Sequence, residues 1–185
     1  MLLARLKNET RPYHQQIEAD LNLLNPDFTL MEYRGLLKRF AGFYLPWETT
    51  VSSVAPNLLA GRSKSTSLLE DLQYLGTTKT DLRDIAVCQD LPSLDSSPRI
   101  LGSQYVLEGA TLGGQILNRH FVQKFGFNGQ GCLFFSGYGG RTASMWKQFG
   151  ATIEQLTPEN SDTAVNSAIM TFECMHSWLC LRAGV

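Results

Sequence analysis

Apolar residues recur at a spacing of three or four along nearly the whole chain of 185 residues. This spacing marks the buried face of an α-helix and predicts about six helices. The expected helices run from Leu2 to Leu21, from Thr29 to Val54, from Ser67 to Gly76, from Ser97 to Gly126, from Thr142 to Leu156 and from Ser161 to Leu181. The run from Cys132 to Phe135 is short and has no partner strand, so we interpret it as loop or helix entry. The sequence therefore predicts an all-α fold in a single domain spanning residues 1–185.

Local signals set the expected helix ends. Two capping boxes, in which a hydroxyl and a carboxylate satisfy free backbone amides, are expected at Thr29–Glu32 and Ser67–Glu70. Pro12 is expected to kink or restart the first helix, and Pro46 to bend the second. Pro158 is expected to stop the helix that precedes it.

The charge balance excludes several classes of partner. The chain carries 16 basic and 17 acidic residues, for a formal net charge of -1. No broad basic field exists to attract nucleic acid, so none is expected as a partner. The N-terminal segment becomes charged within a few residues, and no apolar run approaches the ~18 residues of a membrane span. We therefore expect a cytoplasmic protein without a membrane span.

Two adjacent glycines interrupt the longest apolar helix. Gly113 and Gly114 follow Gly109 by about one turn within LGSQYVLEGATLGGQILNRH. Glycine in a helix interior costs roughly 1 kcal/mol relative to alanine, so the three glycines give up about 2–3 kcal/mol of helix stability. The usual compensation is a kink, or bare backbone lying against a ligand or another helix. The pattern predicts a close approach at this point.

His14 is the histidine whose neighbours favour a ligand role. Lys7, Arg11 and Glu18 fall near the same helical stripe, with Glu18 one turn beyond His14. A neutral imidazole can bind a metal through one nitrogen while the other donates to a carboxylate, here Glu18. Cations on the stripe suit the carboxylates of a flat anionic cofactor. The alternative is a solvated amphipathic helix that carries an incidental histidine.

The other two histidines have less favourable settings. His120 stands beside Arg119 near the end of the glycine-containing helix, where an edge residue is expected. His176 lies close to the apolar stripe of the last helix, where a hydrogen-bonded core histidine is the default. No arrangement typical of nucleophilic catalysis, phosphate binding or a histidine-carboxylate metal cluster is evident.

Four segments together resemble the haem oxygenases, especially the bacterial kind found with bacteriophytochromes. LKNETRPYHQQIEAD and GSQYVLEGATLGGQILNR look like the proximal and distal haem helices of that family. FFSGYGGRTASMWKQF and AIMTFECMHSWL are similar to two later family segments, and all four occur in the family's order. The resemblance implies a multi-helix fold in which haem is sandwiched between a proximal helix and a kinked distal helix.

The resemblance also assigns roles to residues at matching positions. On the proximal side, His14 matches the axial iron ligand and Glu18 the carboxylate that holds its imidazole. On the distal side, Gly113 and Gly114 match the glycines where the helix bends over the haem face, and Gly109 matches a third glycine of that helix. The remaining haem-binding matches are two propionate-facing cations, one additional basic candidate and one aromatic wall, at Lys7, Lys147, Arg11 and Phe172 respectively.

One position departs from the family pattern. Many members carry an aspartate one residue after the glycine that matches Gly109, and this chain has Ala110. In those members the aspartate orders waters on the distal side, so a different anchor is needed here. Gln104, Tyr105 and Gln115 are candidates. A family arginine that faces a propionate falls on Ala151, and Arg141 or Arg11 is a candidate replacement.

The resemblance implies O₂-dependent cleavage of haem to biliverdin, CO and Fe²⁺, with electrons from an external donor such as ferredoxin or a reductase. A bilin-binding phytochrome is the partner implied by family analogy. The second interpretation is a haem-binding or haem-sensing protein of the same fold without efficient turnover, which Ala110 favours. A third, a binder or enzyme for another small molecule, requires His14 to be incidental.

Overall fold

The computed structural model describes residues 1–181, and these residues form helices joined by short connections. The helices are α1 (Leu2–Leu21), α2 (Leu30–Val54), α3 (Pro56–Leu59), α4 (Ser65–Tyr74), α5 (Lys79–Arg83), α6 (Ser97–Phe125), α7 (Leu133–Ser136), α8 (Thr142–Ile153) and α9 (Pro158–His176). A 3₁₀ turn at Gly139–Arg141 precedes α8, and a π-helical turn at Ser177–Leu181 follows α9. The described residues contain no strand, and the all-α single-domain prediction is confirmed.

No helix of the described part is long and apolar enough to cross a membrane.

Both internal prolines lie within continuous helices. α1 runs through Pro12 without restarting. In α2, Pro46 has no N–H to donate to the carbonyl of Gly42, four residues earlier. That carbonyl instead accepts the backbone N–H of Cys88 at 2.9 Å. The proline thus leaves a backbone acceptor that binds the segment between α5 and α6 to α2.

Three of the expected helix ends are corrected by the structure. α4 begins at Ser65, so Ser67 is not its N-cap and the Ser67–Glu70 capping box is wrong. α8 ends at Ile153 rather than Leu156. Pro158 opens α9 rather than stopping its predecessor, because proline lacks only an N–H that the first helical position leaves unbonded. The Thr29–Glu32 capping box is confirmed in both directions.

Carboxylates from distant segments cap the starts of three helices. Glu48 of α2 accepts the backbone N–H groups of Lys64 at 2.5 Å and Ser65 at 3.2 Å, at the start of α4. Glu154 accepts the first two amides of α1 in the same way. Fully buried Asp71 of α4 accepts the amides of Leu133 and Phe134, each at 2.8 Å, at the start of α7. Negative charge at a helix N-terminus is favourable, so each contact is stabilising. Because each carboxylate comes from another segment, each contact also joins two elements.

α6 is the central helix, and it packs against α9, α7 and α8. Gly102 lets its backbone approach α9, because a Cβ at this position would lie 2.0 Å from the carbonyl oxygen of Ala164. Gly114 allows a similar approach to α7, with a Cβ that would lie 3.0 Å from the carbonyl oxygen of Phe135. These two contacts fix the position of the α6 axis on either side of Gly109 and Gly113.

The cap on α7 is the polar contact for which we predict the largest effect on stability. Asp71→Ala removes a buried acceptor and leaves two backbone amides without their partner, so the free energy of unfolding should fall by about 3 kcal/mol. Chemical denaturation of the ligand-free chain measures this change. Glu70→Ala, at an exposed position of the same helix, is the control and should change stability by under about 0.5 kcal/mol. Equal losses in the two variants would contradict a capping role for Asp71.

Candidate functional site

A cleft of about 420 Å³ opens between α1 and α6. Helices α2, α7 and α9, the connection after α1 and the π-helical turn contribute its remaining walls. This volume is within the range of about 300–1,000 Å³ that is usual for small-molecule sites. Most of the lining is apolar. The lining residues are His14, Ile17, Glu18, Leu21, Leu23, Leu24, Phe40, Tyr44, Val106, Gly109, Ala110, Thr111, Gly113, Gly114, Ile116, Leu117, Phe134, Phe135, Phe172, Met175 and Leu179.

His14 presents its imidazole at the α1 wall. Its Nδ1 lies 3.3 Å from Oε2 of Glu18, the carboxylate expected one turn along the helix. Its ring also meets Phe172 of α9 edge-on, with 5.9 Å between centroids. The side chain is 48% exposed. With Glu18 beside Nδ1, Nε2 is the nitrogen better placed for a ligand in the cleft.

Gly109 and Gly113 of α6 give the opposite wall an open backbone surface. A Cβ at either position would meet nothing within 4 Å, and both residues line the cleft. Gly114 also lines the cleft, but its missing side chain makes room for the carbonyl of Phe135. The adjacent glycines therefore serve two purposes, since Gly113 leaves space beside the cleft whereas Gly114 allows α6 to pack on α7.

The three cations expected to face a ligand lie outside the lining of the cleft. Lys7, Arg11 and Lys147 are exposed, and no lysine or arginine of residues 1–181 lines the cleft. Arg11 is three residues before His14 on α1, which places it on the same side of the helix. Arg141, the alternative for the residue matched at Ala151, is exposed as well. The contact of these side chains with a ligand stays a prediction.

The other two histidines do not line the cleft. Nε2 of His176 lies 2.6 Å from Oδ2 of Asp20, which joins α9 to α1. His120 lies against Phe121, with 5.4 Å between ring centroids, and its Nε2 is buried without a hydrogen-bond partner among the described residues. His14 is thus the one histidine that the structure brings to the cleft.

Ala110 lines the cleft, so no carboxylate projects from this position. The three candidate replacements do not reach the cleft. Gln104 donates its Nε2 to the carbonyl of Leu58 at 3.0 Å, and Tyr105 packs on Trp146 with 5.9 Å between ring centroids. Gln115 is exposed and is not part of the lining.

Sequence reasoning missed two hydroxyl-bearing residues that line the cleft, Tyr44 and Thr111. Tyr44 is almost fully buried in α2, where the helical pattern marked it only as core. Thr111 is also buried and donates its hydroxyl to the carbonyl of Leu107 at 3.0 Å. A polar tip within an apolar stripe is the signal that marks such residues, but sequence alone does not show which cavity the tip meets.

Residues 1–180 match the haem oxygenase family, and the chain belongs to this family. Two solved structures share its fold. A haem oxygenase from Neisseria meningitidis, solved with NO and CO bound, is 20% identical, with a TM-score of 0.77 over 100% of this chain and 95% of that chain. A haem oxygenase from Leptospira interrogans is 17% identical, with a TM-score of 0.80 over 97% of this chain and 98% of that chain. Comparison with curated protein sequences gives no match.

The two adjacent glycines should respond differently to the same substitution. Gly113→Ala should raise the free energy of unfolding of the ligand-free chain by about 0.5–1 kcal/mol, because alanine is favoured inside helices and its methyl group meets open space. Gly114→Ala should give no gain, because its methyl group lies against the Phe135 carbonyl. Denaturant unfolding of the two variants measures the difference. An equal gain in both would show that the α6–α7 contact does not need a glycine.

Proposed function

We propose that the cleft binds haem, with His14 as the protein ligand to iron, and that the protein cleaves haem to biliverdin, CO and Fe²⁺. O₂ and electrons from an external donor, such as ferredoxin or a reductase, are the other requirements. The observation that carries the proposal is the placement of His14 and of the open backbone at Gly113 on opposite walls of one apolar cleft. Membership of the haem oxygenase family supports the same chemistry.

The residues of the cleft fit a flat, largely apolar group. Side chains at Gly109 and Gly113 would project where the α6 wall is open, and their absence leaves that space free. Phe134, Phe135 and Phe172 supply apolar walls. The exposed lysines and arginines lie outside these walls, where propionate groups would remain in water. The apolar walls and the exposed cations outside them therefore match an apolar ring with charged groups at its edge.

Glu18 prepares His14 for ligation. Oε2 of its carboxylate lies 3.3 Å from Nδ1 of the imidazole. A carboxylate that accepts the Nδ1–H would fix the tautomer and leave Nε2 as the ligating nitrogen. The edge-on contact with Phe172 limits rotation of the imidazole ring. Haem, when bound, supplies the iron that activates O₂, and it is also the molecule consumed.

On the distal side, α6 presents bare backbone at Gly109 and Gly113. The open space beside these two glycines leaves room for a small diatomic molecule. Val106, Phe134 and Phe135 exclude bulk water from this half of the cleft. Tyr44 and Thr111 are the hydroxyl-bearing residues of the lining among the described residues.

A second function is favoured by Ala110. Glu18, on the His14 wall, is the one carboxylate in the lining among the described residues. A distal side without a carboxylate would suit a haem-binding or haem-sensing protein that turns over slowly.

By family resemblance, the further proposals are a bilin-binding phytochrome as partner and a cytoplasmic location.

The proposed ligand is tested by hemin titration of histidine variants. His14→Ala should lose the axial imidazole signal in resonance Raman or EPR spectra of the ferric complex, and added imidazole should restore it. His120→Ala is the control and should keep this signal with hemin affinity within about threefold of the wild type. Loss of the signal in His120→Ala or His176→Ala, with His14→Ala unchanged, would contradict the assignment.

Turnover separates the two candidate functions. The hemin-loaded wild type, given O₂ and ascorbate or reduced ferredoxin, should lose its Soret band and gain the absorption of a bilin. Ala110→Asp should change the rate without being required for the product. Retention of intact haem by the wild type, with bilin formed only by Ala110→Asp, would favour the haem-binding function.

A further inference from the structure

A second cavity, of about 10 Å³, lies beside the cleft, and most of the residues around it carry a polar or charged group. This volume is at the lower limit for one water molecule. Its walls include four charged side chains, those of Glu48, Arg62, Lys64 and Glu108. Tyr44 and Thr111 line both this cavity and the cleft. We name this cavity the polar chamber.

Two carboxylates of the chamber differ in how fully they are used. Both oxygens of Glu48 accept hydrogen bonds, from the amides at the start of α4 and from the hydroxyl of Ser63 at 2.7 Å. Among the described residues, the polar contacts of Glu108 fall on Oε1, which accepts the Tyr138 hydroxyl at 2.7 Å and lies 2.9 Å from Nη1 of Arg62. Glu108 is 5% exposed. Its second oxygen, Oε2, is therefore the carboxylate oxygen left to bind a guest in the chamber.

Lys64 supplies an unused donor. The residue is 5% exposed, and its Nζ has no hydrogen-bond partner among the described residues. Nζ lies over the ring of Tyr138, 3.0 Å from the centroid. Burial lowers the pKa of Lys64 to about 8, the charges of Glu108 and Glu48 oppose this shift, and those of Arg62 and Arg141 add to it. A buried ammonium without an acceptor is unfavourable, and a polar cavity at its tip is where water normally satisfies such a group.

We propose that the polar chamber holds an ordered water between Lys64 and Glu108, and that the hydroxyls of Tyr44 and Thr111 connect this water to the distal side of the cleft. This inference rests on the haem-binding function proposed above. Glu108 is then a positioning residue, which orders the distal hydrogen bonds from α6 two positions before Ala110.

The two connecting hydroxyls suit this role. Thr111 follows Glu108 by three residues, so the two side chains leave α6 on neighbouring positions. Its hydroxyl hydrogen is used by the Leu107 carbonyl, so its oxygen is available as an acceptor. Burial and the nearby charges of Glu108 and Glu48 raise the pKa of Tyr44 well above its usual range. Tyr44 therefore keeps its hydroxyl hydrogen and can donate it.

The first test is a high-resolution crystal structure of the chain. We expect one ordered water in the polar chamber, within about 3.2 Å of Nζ of Lys64 and of a carboxylate oxygen of Glu108. A chamber without water, or a Lys64 side chain that turns out to solvent, would overturn the inference. This observation needs neither haem nor turnover, so it is independent of the proposed function.

The second test uses the pH dependence of the ferric hemin complex. Tyr138→Phe leaves the Glu108–Arg62 ion pair in place but removes the hydroxyl that donates to Oε1. The absorption spectrum of the ferric hemin complex is followed against pH, and the midpoint of its change should shift by at least about 0.5 unit in this variant. Glu108→Gln should shift the midpoint further and lower the rate of bilin formation about tenfold, and Glu108→Asp should recover part of that rate. Glu70→Gln, on the exposed side of α4, is the control for a change of one charge.

The outcomes distinguish the two proposals. If variants and control bind hemin through His14 with the same midpoint and rate, the inference about Glu108 fails while the proposed function stands. If the wild type does not bind hemin at His14, the proposed function fails, whatever the chamber contains. Should Glu108→Gln not fold, the midpoint of Tyr138→Phe decides the matter.

Discussion

The position of helix α6 is the constraint on which the site depends. Two backbone contacts hold this helix, one to α9 at Gly102 and one to α7 at Gly114, and each is close enough that a Cβ would meet a carbonyl oxygen. Between them, Gly109 and Gly113 face open space. Gly102 and Gly114 therefore allow α6 to pack closely on its neighbours, whereas Gly109 and Gly113 leave its backbone uncovered where the cleft opens. The glycines of α6 reduce its intrinsic helical stability, and packing on its neighbours compensates for this loss.

Carboxylates that cap distant helices are the second group of contacts that shapes the structure. Glu154, Glu48 and Asp71 each cap a helix that begins far away in the chain, so the capped helices are positioned by polar contacts as well as by the core. One of them, Glu48, also lines the polar chamber beside the cleft. The start of α4 thereby brings Arg62 and Lys64 next to Glu108, and the distal side of the cleft acquires charged neighbours although its own lining is apolar.

The sequence predicted those features that depend on local spacing. The helical class follows from periodicity, the Thr29–Glu32 cap from a separation of three, and the His14–Glu18 contact from a separation of four. The family resemblance identified α1 and α6 as the facing walls. The cap of α4 was misplaced because Glu48, which provides it, lies more than a dozen residues upstream. The glycine spacing predicted a loss of helix stability at Gly113 and Gly114 but not the neighbour that a side chain at each position would meet. The polar chamber joins side chains from four segments, and no local sequence pattern connects these segments.

The central claim is that haem lies between α1 and α6 with iron on His14. A crystal structure of the hemin complex tests this most directly. We expect iron bonded to Nε2 of His14, Glu18 on Nδ1 of the same ring, and the backbone of Gly109 and Gly113 over the opposite face of the porphyrin. Iron bonded to His120 or His176, or a porphyrin bound outside this cleft, would contradict the account.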